Sequence, residues 1–116
     1  MMTTLDYIEY VCEQIGGTGL IRYKKMFGEY MVYVNDKPLL LVCGNIVYVK
    51  ILDCISDKMK NAEKGFPYNG AKEHYILDID NAPFSREIVS ILEPVTPLPK
   101  PKSKLININT EKKFEK

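Results

Sequence analysis

Histidine and tryptophan are nearly absent from this chain of 116 residues, which contains one histidine, His74, and no tryptophan. A zinc site needs about four ligands drawn from cysteine, histidine and carboxylate side chains. The three cysteines, Cys12, Cys43 and Cys54, are odd in number and show no metal-like spacing. We therefore expect no metal and no cofactor, and we interpret the cysteines as buried free thiols of a reducing cytoplasm.

Patterns that carry catalysis are equally sparse. A catalytic pair of His74 with Cys43 or Cys54 would need a third group to orient the base, and nothing in the sequence favours one. Asp78 and Asp80 could act as a carboxylate pair, but their position before a helix favours capping. Neither GxxxxGK[ST] nor GxGxxG occurs. We therefore expect no catalytic and no cofactor-binding residues.

Long hydrophobic runs are also missing. The longest one, from Pro38 to Cys43, is far shorter than the roughly 20 residues that a membrane span requires. The first ten residues, MMTTLDYIEY, lack the basic stretch and apolar run of a signal peptide. The sequence therefore predicts a cytoplasmic protein without membrane contact.

Basic residues are not concentrated in the body of the chain. Residues 1–93 hold 10 Lys and Arg against 13 Asp and Glu, whereas residues 94–116 hold six Lys and two Glu. Phosphate binding requires clustered cations, and the body has only the group Arg22, Lys24 and Lys25. Tyrosines on a sheet face could stack on bases, but the acidic body favours cross-strand packing. We expect no nucleic-acid binding by the body and only weak, salt-sensitive contacts by the tail.

What the sequence does contain is an apolar stretch that predicts three antiparallel strands. They are residues 26–34, 39–43 and 46–51, joined by tight turns at Asn35-Asp36 and Gly44-Asn45. The first strand could also begin at Ile21 and be broken at Gly28. The second strand is apolar on both sides, which favours a central position covered on both faces.

The alternation of side chains divides the first strand between two faces. One face is predicted to hold Met26, Tyr30, Val32 and Val34, and the other Phe27, Glu29, Met31 and Tyr33. Aromatic residues and methionine are enriched at the centres of interfaces. Tyr30, Met31 and Tyr33 therefore suggest an open edge or face that self-associates.

Helices and further strands flank this stretch. Periodic apolar residues predict helices at about 4–15, 54–64 and from Asn81 to Pro94, with caps at Thr3 or Thr4, at Asp53 and at Asn81. A strand is predicted at 75–79, with a short partner around 66–68. The fold class is α+β, an antiparallel sheet with helices in the order α-β-β-β-α-β-β-α, plus an extended C-terminal tail. Residues 1–93 form the domain, and residues 94–116 form a tail rich in proline and lysine.

A family resemblance rests on the same stretch. Residues 25–33, KMFGEYMVY, resemble the MFGGYGLY opening of the TfoX (Sxy) N-terminal domain family of competence regulators. The similarity continues through Leu41-Val42, residues 45–50 and Gly65-Phe66-Pro67-Tyr68, and it covers about residues 20–95. Glu29 and Met31 stand where the family has glycines. The motif residues, which we expect to be structural, are Met26, Phe27, Gly28, Tyr30, Tyr33, Tyr48, Gly65, Pro67 and Tyr68.

The resemblance implies a non-enzymatic regulatory or protein-interaction domain, linked to transcriptional regulation of competence genes. Its partner would be a protein of the transcription machinery or a regulator. A second copy of the chain, forming a homodimer, is a further candidate partner. The alternative is a small-ligand-binding protein or an enzyme, with a pocket between the sheet and the helices.

Overall fold

The computed structural model describes residues 3–26 and 29–99, which contain three helices and six strands. In chain order they are α1 (Leu5–Gln14), β1 (Ile21–Met26), β2 (Glu29–Val34), β3 (Lys37–Cys43), β4 (Ile46–Lys50), α2 (Asp53–Ser56), β5 (Lys64–Gly65), β6 (His74–Ile76) and α3 (Ala82–Val95). The strands form one antiparallel sheet in the order β1-β2-β3-β4-β6-β5. The predicted α+β class is confirmed.

Both predicted hairpin turns have the left-handed backbone that their residues tolerate. Asn35 and Asp36 have φ angles of 53° and 66°, and Gly44 and Asn45 each have a φ of 58°. Positive φ at both central positions matches the right-handed twist of the flanking strands. These two turns therefore set the register of β2, β3 and β4.

The first predicted strand is wrong in one respect, because it is a hairpin of two strands. β1 pairs with β2, so that Ile21 lies opposite Val34 and Met26 lies opposite Glu29. Met26 therefore shares a face with Glu29 and not with Tyr30. Alternation with period two looks the same on both arms of a hairpin, so it does not reveal where the chain reverses. The predicted structural roles of Phe27 and Gly28 lie outside the described residues.

A hydrophobic core joins the helices to one face of the sheet. The helical residues that are almost fully buried in it are Ile8, Val11, Ile55, Ile88, Val89 and Leu92. The sheet contributes Val32, Val34, Leu40, Val42, Val47 and Val49. Removing these side chains from water stabilises the fold by roughly 1.5–3 kcal/mol each before entropy is counted.

Side-chain caps hold the starts of the two long helices, as predicted. Thr4 Oγ1 accepts a hydrogen bond from the Tyr7 amide at 3.2 Å, and Asn81 Oδ1 accepts one from Phe84 at 3.3 Å. The expectation that Pro94 ends α3 is wrong, since α3 runs to Val95. A proline so near the C-terminus removes one backbone bond from the last turn and leaves the rest of the helix intact.

The region after β4 is less regular than predicted. α2 has only four residues and is followed by turns, and within the predicted range 54–64 only Ile55 and Met59 are buried. The strand predicted at 75–79 is the shorter β6. Its partner is β5 and not residues 66–68, where Phe66 and Tyr68 are exposed. Gly65 therefore lies in a strand and does not close a helix.

Candidate protein-binding surface

The two faces of the sheet have different surroundings. In β4, Val47 and Val49 are 1% exposed and belong to the core that the helices cover. Tyr48 lies between them in the strand, points to the opposite face and is outside that core. We call this second side the open face. The strand pairing assigns to it Arg22, Lys24, Met26, Glu29, Met31, Tyr33, Leu41, Cys43, Ile46, Tyr48, Lys50, Gly65, His74 and Ile76.

The centre of the open face is apolar. Met31, Tyr33, Leu41 and Ile76 are half-buried there, between neighbouring strands. The expectation that β3 is covered on both faces is therefore wrong. Leu41 keeps partial exposure, whereas Leu40, on the helix side, is 0% exposed. The central strand is apolar on both sides because one side forms the core and the other side forms this surface.

Gly65 provides close packing at one end of the open face. A Cβ atom at this position would lie 3.4 Å from Tyr48 Cε1 and 3.3 Å from Ile76 Cδ1. The ring of His74 stands edge-on to Tyr48, with centroids 6.4 Å apart. The glycine thus lets the short strand β5 lie against the Tyr48 ring, which is 7% exposed.

The polar groups on this face do not form a catalytic pair. Burial, together with the nearby Glu29 carboxylate, raises the pKa of the Cys43 thiol to about 11, so it stays protonated near neutral pH. Glu29 Oε1 accepts hydrogen bonds from Thr3 Oγ1 at 2.7 Å and from the Gly44 amide at 3.0 Å. His74 Nδ1 lies 2.7 Å from the Lys72 carbonyl oxygen, which makes Nδ1 the donor. Neither the Cys43 thiol nor the His74 ring is therefore prepared for nucleophilic chemistry.

The other two cysteines lie on the helices. Cys12 of α1 is half-buried, and Cys54 of α2 is exposed. The expectation of buried thiols is thus confirmed for Cys43 and wrong for Cys54. α2 is too short and too weakly packed to bury more than Ile55.

Charge is divided between the two layers of the domain. The six strands carry six Lys and Arg and one Glu, whereas the three helices carry one Arg and six Asp and Glu. On the open face, Arg22 and Lys24 lie at one end, and Lys50 lies towards the other. The Arg22 guanidinium lies 5.4 Å from the centre of the Tyr33 ring and 2.7 Å from Asp36 Oδ1. The surface is therefore apolar at its centre and basic at its ends.

The structure brings together only part of the residues on which the resemblance to the TfoX N-terminal domain rests. Met26, Tyr33, Tyr48 and Gly65 share the open face. Tyr30 lies on the helix side at 7% exposure, where its ring meets that of Tyr23 edge-to-face. Pro67 and Tyr68 follow β5, away from the regular strands, and Phe27 and Gly28 lie outside the described residues. The motif alone missed Leu41, His74 and Ile76, which the alternation of β3 and β6 could have placed on this face.

The alternative function, binding of a small ligand, would use a groove on the helical side of the sheet. It encloses about 580 Å³ and is lined in part by Tyr7, Met59, Ile79, Asp80 and Phe84. Asp80 accepts a hydrogen bond from Tyr10, and this bond is the main reason that the pKa of Tyr10 rises to about 12. Of the three carboxylates at the groove, Glu63, Asp78 and Asp80, the last is thus engaged in holding α1 to the loop before α3.

Residues 3–26 and 29–99 contain neither a metal-binding cluster nor a membrane-spanning helix. No group of three or more His, Cys, Asp and Glu side chains is arranged there to hold a metal ion. No helix in this part of the chain is long and apolar enough to cross a membrane.

Comparison with known proteins gives one informative match. No family model matches the chain. A protein of Spirochaeta aurantia, named "Uncharacterized 12.7 kDa protein in trpE 5'region", is 33% identical over 104 residues. The match covers 88% of this chain and 90% of that protein. The similarity therefore extends over nearly the full length of both.

Proposed function

This chain belongs to the same family as the uncharacterised 12.7 kDa protein of Spirochaeta aurantia. We propose that it is a non-enzymatic protein-interaction domain. Its binding surface is the open face of the sheet. The name of the relative states no activity, so the proposal depends on the surface itself.

The observation that carries the proposal is the contrast between the two faces of one sheet. Helices cover the face of Val47 and Val49, while the apolar side chains of Met31, Tyr33 and Leu41 keep partial exposure on the other. Exposed apolar patches with a polar rim are typical of protein-binding sites. Tyrosine, methionine and arginine, all present here, are enriched in interfaces.

The regulatory part of the proposal comes from the resemblance to the TfoX N-terminal domain. It makes the partner a cytoplasmic protein of the transcription machinery or a regulator, and the process the expression of competence genes. The thiol of Cys43 and the engaged carboxylates of Glu29 and Asp80 support a role without catalysis, because none of them is a poised acid, base or nucleophile.

Affinity capture with matched variants tests the surface. The double variant Tyr33→Ala, Leu41→Ala removes apolar area from the open face. Leu5→Ala removes a side chain that is 50% exposed on α1, on the helical side. Proteins captured from the host lysate by the parent should be lost with the double variant and retained with Leu5→Ala, also after nuclease digestion. Equal capture by all three proteins would contradict the proposal.

The regulatory role has a separate test in the host. Transcripts of DNA-uptake genes should fall in a strain that carries the open-face double variant, and they should stay at the parent level with Leu5→Ala. If capture is lost but the transcripts are unchanged, the open face is still a protein-binding surface, and the proposed role in competence is contradicted.

A further inference from the structure

Within residues 3–26 and 29–99, the strand β1 forms an edge of the sheet that pairs with β2 alone. It lies outermost in the strand order, and its six residues make it much longer than the two-residue strand at the other edge. Arg22, Tyr23, Lys24 and Lys25 are all exposed. A long exposed edge is a template for pairing with another strand.

The backbone of β1 has hydrogen-bonding groups that point away from the sheet. The Asn35 amide donates to the Leu20 carbonyl at 2.8 Å, which fixes the bonded positions of this antiparallel pair. Since bonding alternates along the strand, Arg22, Lys24 and Met26 bond to β2. By the same alternation, the N–H and C=O groups of Ile21, Tyr23 and Lys25 face away from β2, and none of the turn, loop and cap hydrogen bonds within residues 3–26 and 29–99 uses them.

The side chains of this edge are basic on both faces of the sheet. Arg22 and Lys24 lie on the open face, and Lys25, opposite Tyr30, lies on the helix side. β1 contains no acidic residue. Arg22 is paired with Asp36, whereas none of the ion pairs in the described part of the chain uses Lys24 or Lys25.

We propose that the outer edge of β1 is a strand-addition site for an extended, acidic peptide segment of a partner protein. The outward backbone groups of Ile21, Tyr23 and Lys25 bond to the added strand. Acidic side chains at successive positions of that strand meet Lys24 on one face and Lys25 on the other. Backbone bonds supply affinity in this mode of recognition, and the side chains select the segment.

Charge argues against the two other strands that could occupy this edge. A second copy of β1 would place three basic residues against three basic residues, and like charges directly opposite each other are destabilising. Leu98 and Pro99 line a pocket with Arg22 and Lys24, but residues 94–116 carry six Lys and two Glu, so their net charge is unfavourable for pairing with this edge. An acidic segment of a partner protein avoids both of these like-charge repulsions.

The strand-addition site on β1 and the proposed binding surface on the open face are two different surfaces. The two surfaces adjoin at Arg22 and Lys24, but the edge acts through outward backbone groups and not through Tyr33 and Leu41. Variants of each surface can therefore fail independently.

A synthetic eight-residue peptide of the repeat Glu-Glu-Val-Val, called the Glu-Val peptide and labelled with a fluorophore, is a suitable probe, because its paired Glu residues point to both faces of the added strand. Its binding to the full chain is measured by fluorescence anisotropy and should weaken with added salt. The peptide with Lys in place of Glu should bind at least about tenfold more weakly, a difference of about 1.4 kcal/mol. A version with proline at alternate positions, which lacks the donors that the strand needs, should also fail to bind.

Two sets of variants locate the bound peptide. Tyr23→Pro removes an outward N–H that the sheet itself does not use, while Tyr23→Ala removes the same ring and keeps that N–H. The proline variant should bind the Glu-Val peptide roughly three- to tenfold more weakly than the alanine variant. Lys24→Glu with Lys25→Glu should abolish binding, whereas Lys60→Glu, an exposed change in the turn after α2, should have little effect.

Amide exchange gives the decisive readout, since the peptide should slow exchange at Ile21, Tyr23 and Lys25. The proposal is overturned if the Glu-Val and Lys-Val peptides bind alike, or if the proline and alanine variants bind equally well. It is also overturned if these amides are already protected without peptide. Protection that rises with protein concentration would then assign the edge to a second copy, and protection lost on deleting residues 100–116 would assign it to the tail.

Discussion

Lys37 holds the C-terminal turn of α3 against the β2–β3 hairpin through Glu93. Its Nζ lies 3.1 Å from Glu93 Oε2 and donates to the Glu93 carbonyl oxygen at 3.0 Å. Asn35 adds a bond from Nδ2 to the same carboxylate oxygen at 3.3 Å. The α-helical donor to the Glu93 carbonyl would be residue 97, which is a proline without an N–H. The Lys37 side chain and the Thr96 amide, at 3.3 Å, bond to this carbonyl instead.

The Glu93 pair predicts a specific dependence of stability on pH. Hydrogen bonds from Lys37 and Asn35 lower the pKa of Glu93 below its ordinary value of 4.5. A carboxyl group whose pKa is lowered by folding stabilises the fold above the unfolded value, and this stability is lost as pH falls through the folded value. Glu93→Gln should therefore lower the melting temperature at neutral pH and have a much smaller effect at about pH 3. A melting-temperature difference that is constant over this range would contradict the assignment.

Gly19 should be one of the least replaceable glycines of the described chain. Its φ is 153°, and a Cβ atom there would lie 2.8 Å from the Asn35 side chain and 2.9 Å from Val34 Cγ1. Gly70 has a φ of 87° but open space around it, which makes it a matched control. We expect Gly70→Ala to cost about 1 kcal/mol and Gly19→Ala about 2–4 kcal/mol, measured by urea unfolding. Equal costs would mean that the contact with Asn35 relaxes freely.

Leu40 and Leu41 are neighbours in β3 and test whether the sheet is covered on one side only. Leu40 is 0% exposed on the helix side, and Leu41 is half-buried on the open face. Leu40→Ala should destabilise the fold by about 2–5 kcal/mol, because it leaves a cavity in the core. Leu41→Ala should cost about 1 kcal/mol or less, since solvent or neighbouring side chains fill the space. Similar losses at both positions would show that the open face is buried in solution.

Local signals predicted most of the fold. Asn35-Asp36 and Gly44-Asn45 identified two turns because few residue pairs accept left-handed backbone. The helix caps at Thr4 and Asn81 were identified from side chains that bond to the first free amides. What failed depended on tertiary context. The reversal between β1 and β2 carries no distinct periodicity, and α2 is short because few of its residues reach the core.

The candidate surface was harder to predict than the fold. Tyr33 and Met31 were expected at an interface, but Tyr30 was included with them although it faces the helices. An apolar residue on a strand looks the same in sequence whether a helix covers it or not. The free edge of β1 was also hidden, because strand order is set by long-range pairing and not by local composition.

Tyr10 and Asp80 predict an unusual tyrosine titration. Their hydrogen bond is the main cause that raises the pKa of Tyr10 to about 12. A group whose pKa is raised by folding adds stability below its ordinary value of 10.0, and this contribution disappears as pH rises through the folded value. Ultraviolet titration of the parent should show a tyrosine that ionises at about 12. This component should vanish in Tyr10→Phe and move to lower pH in Asp80→Asn, and its persistence in Tyr10→Phe would rule out the assignment.

The last prediction concerns the C-terminal tail. Leu92 is 2% exposed and is the last core residue of the described chain, while Leu98 is 61% exposed. Thr96 Oγ1 donates to the Leu92 carbonyl at 2.7 Å and completes the end of α3. Deleting residues 100–116 should therefore shift the melting temperature by less than about 2 °C. Such a shift corresponds to a change in the free energy of unfolding well below about 1 kcal/mol. Truncation after Ile91 removes both Leu92 and the Glu93 contact and should destabilise the fold severely. If the shorter deletion also unfolds the domain, the tail is an integral element, and the boundary placed at Pro94 is wrong.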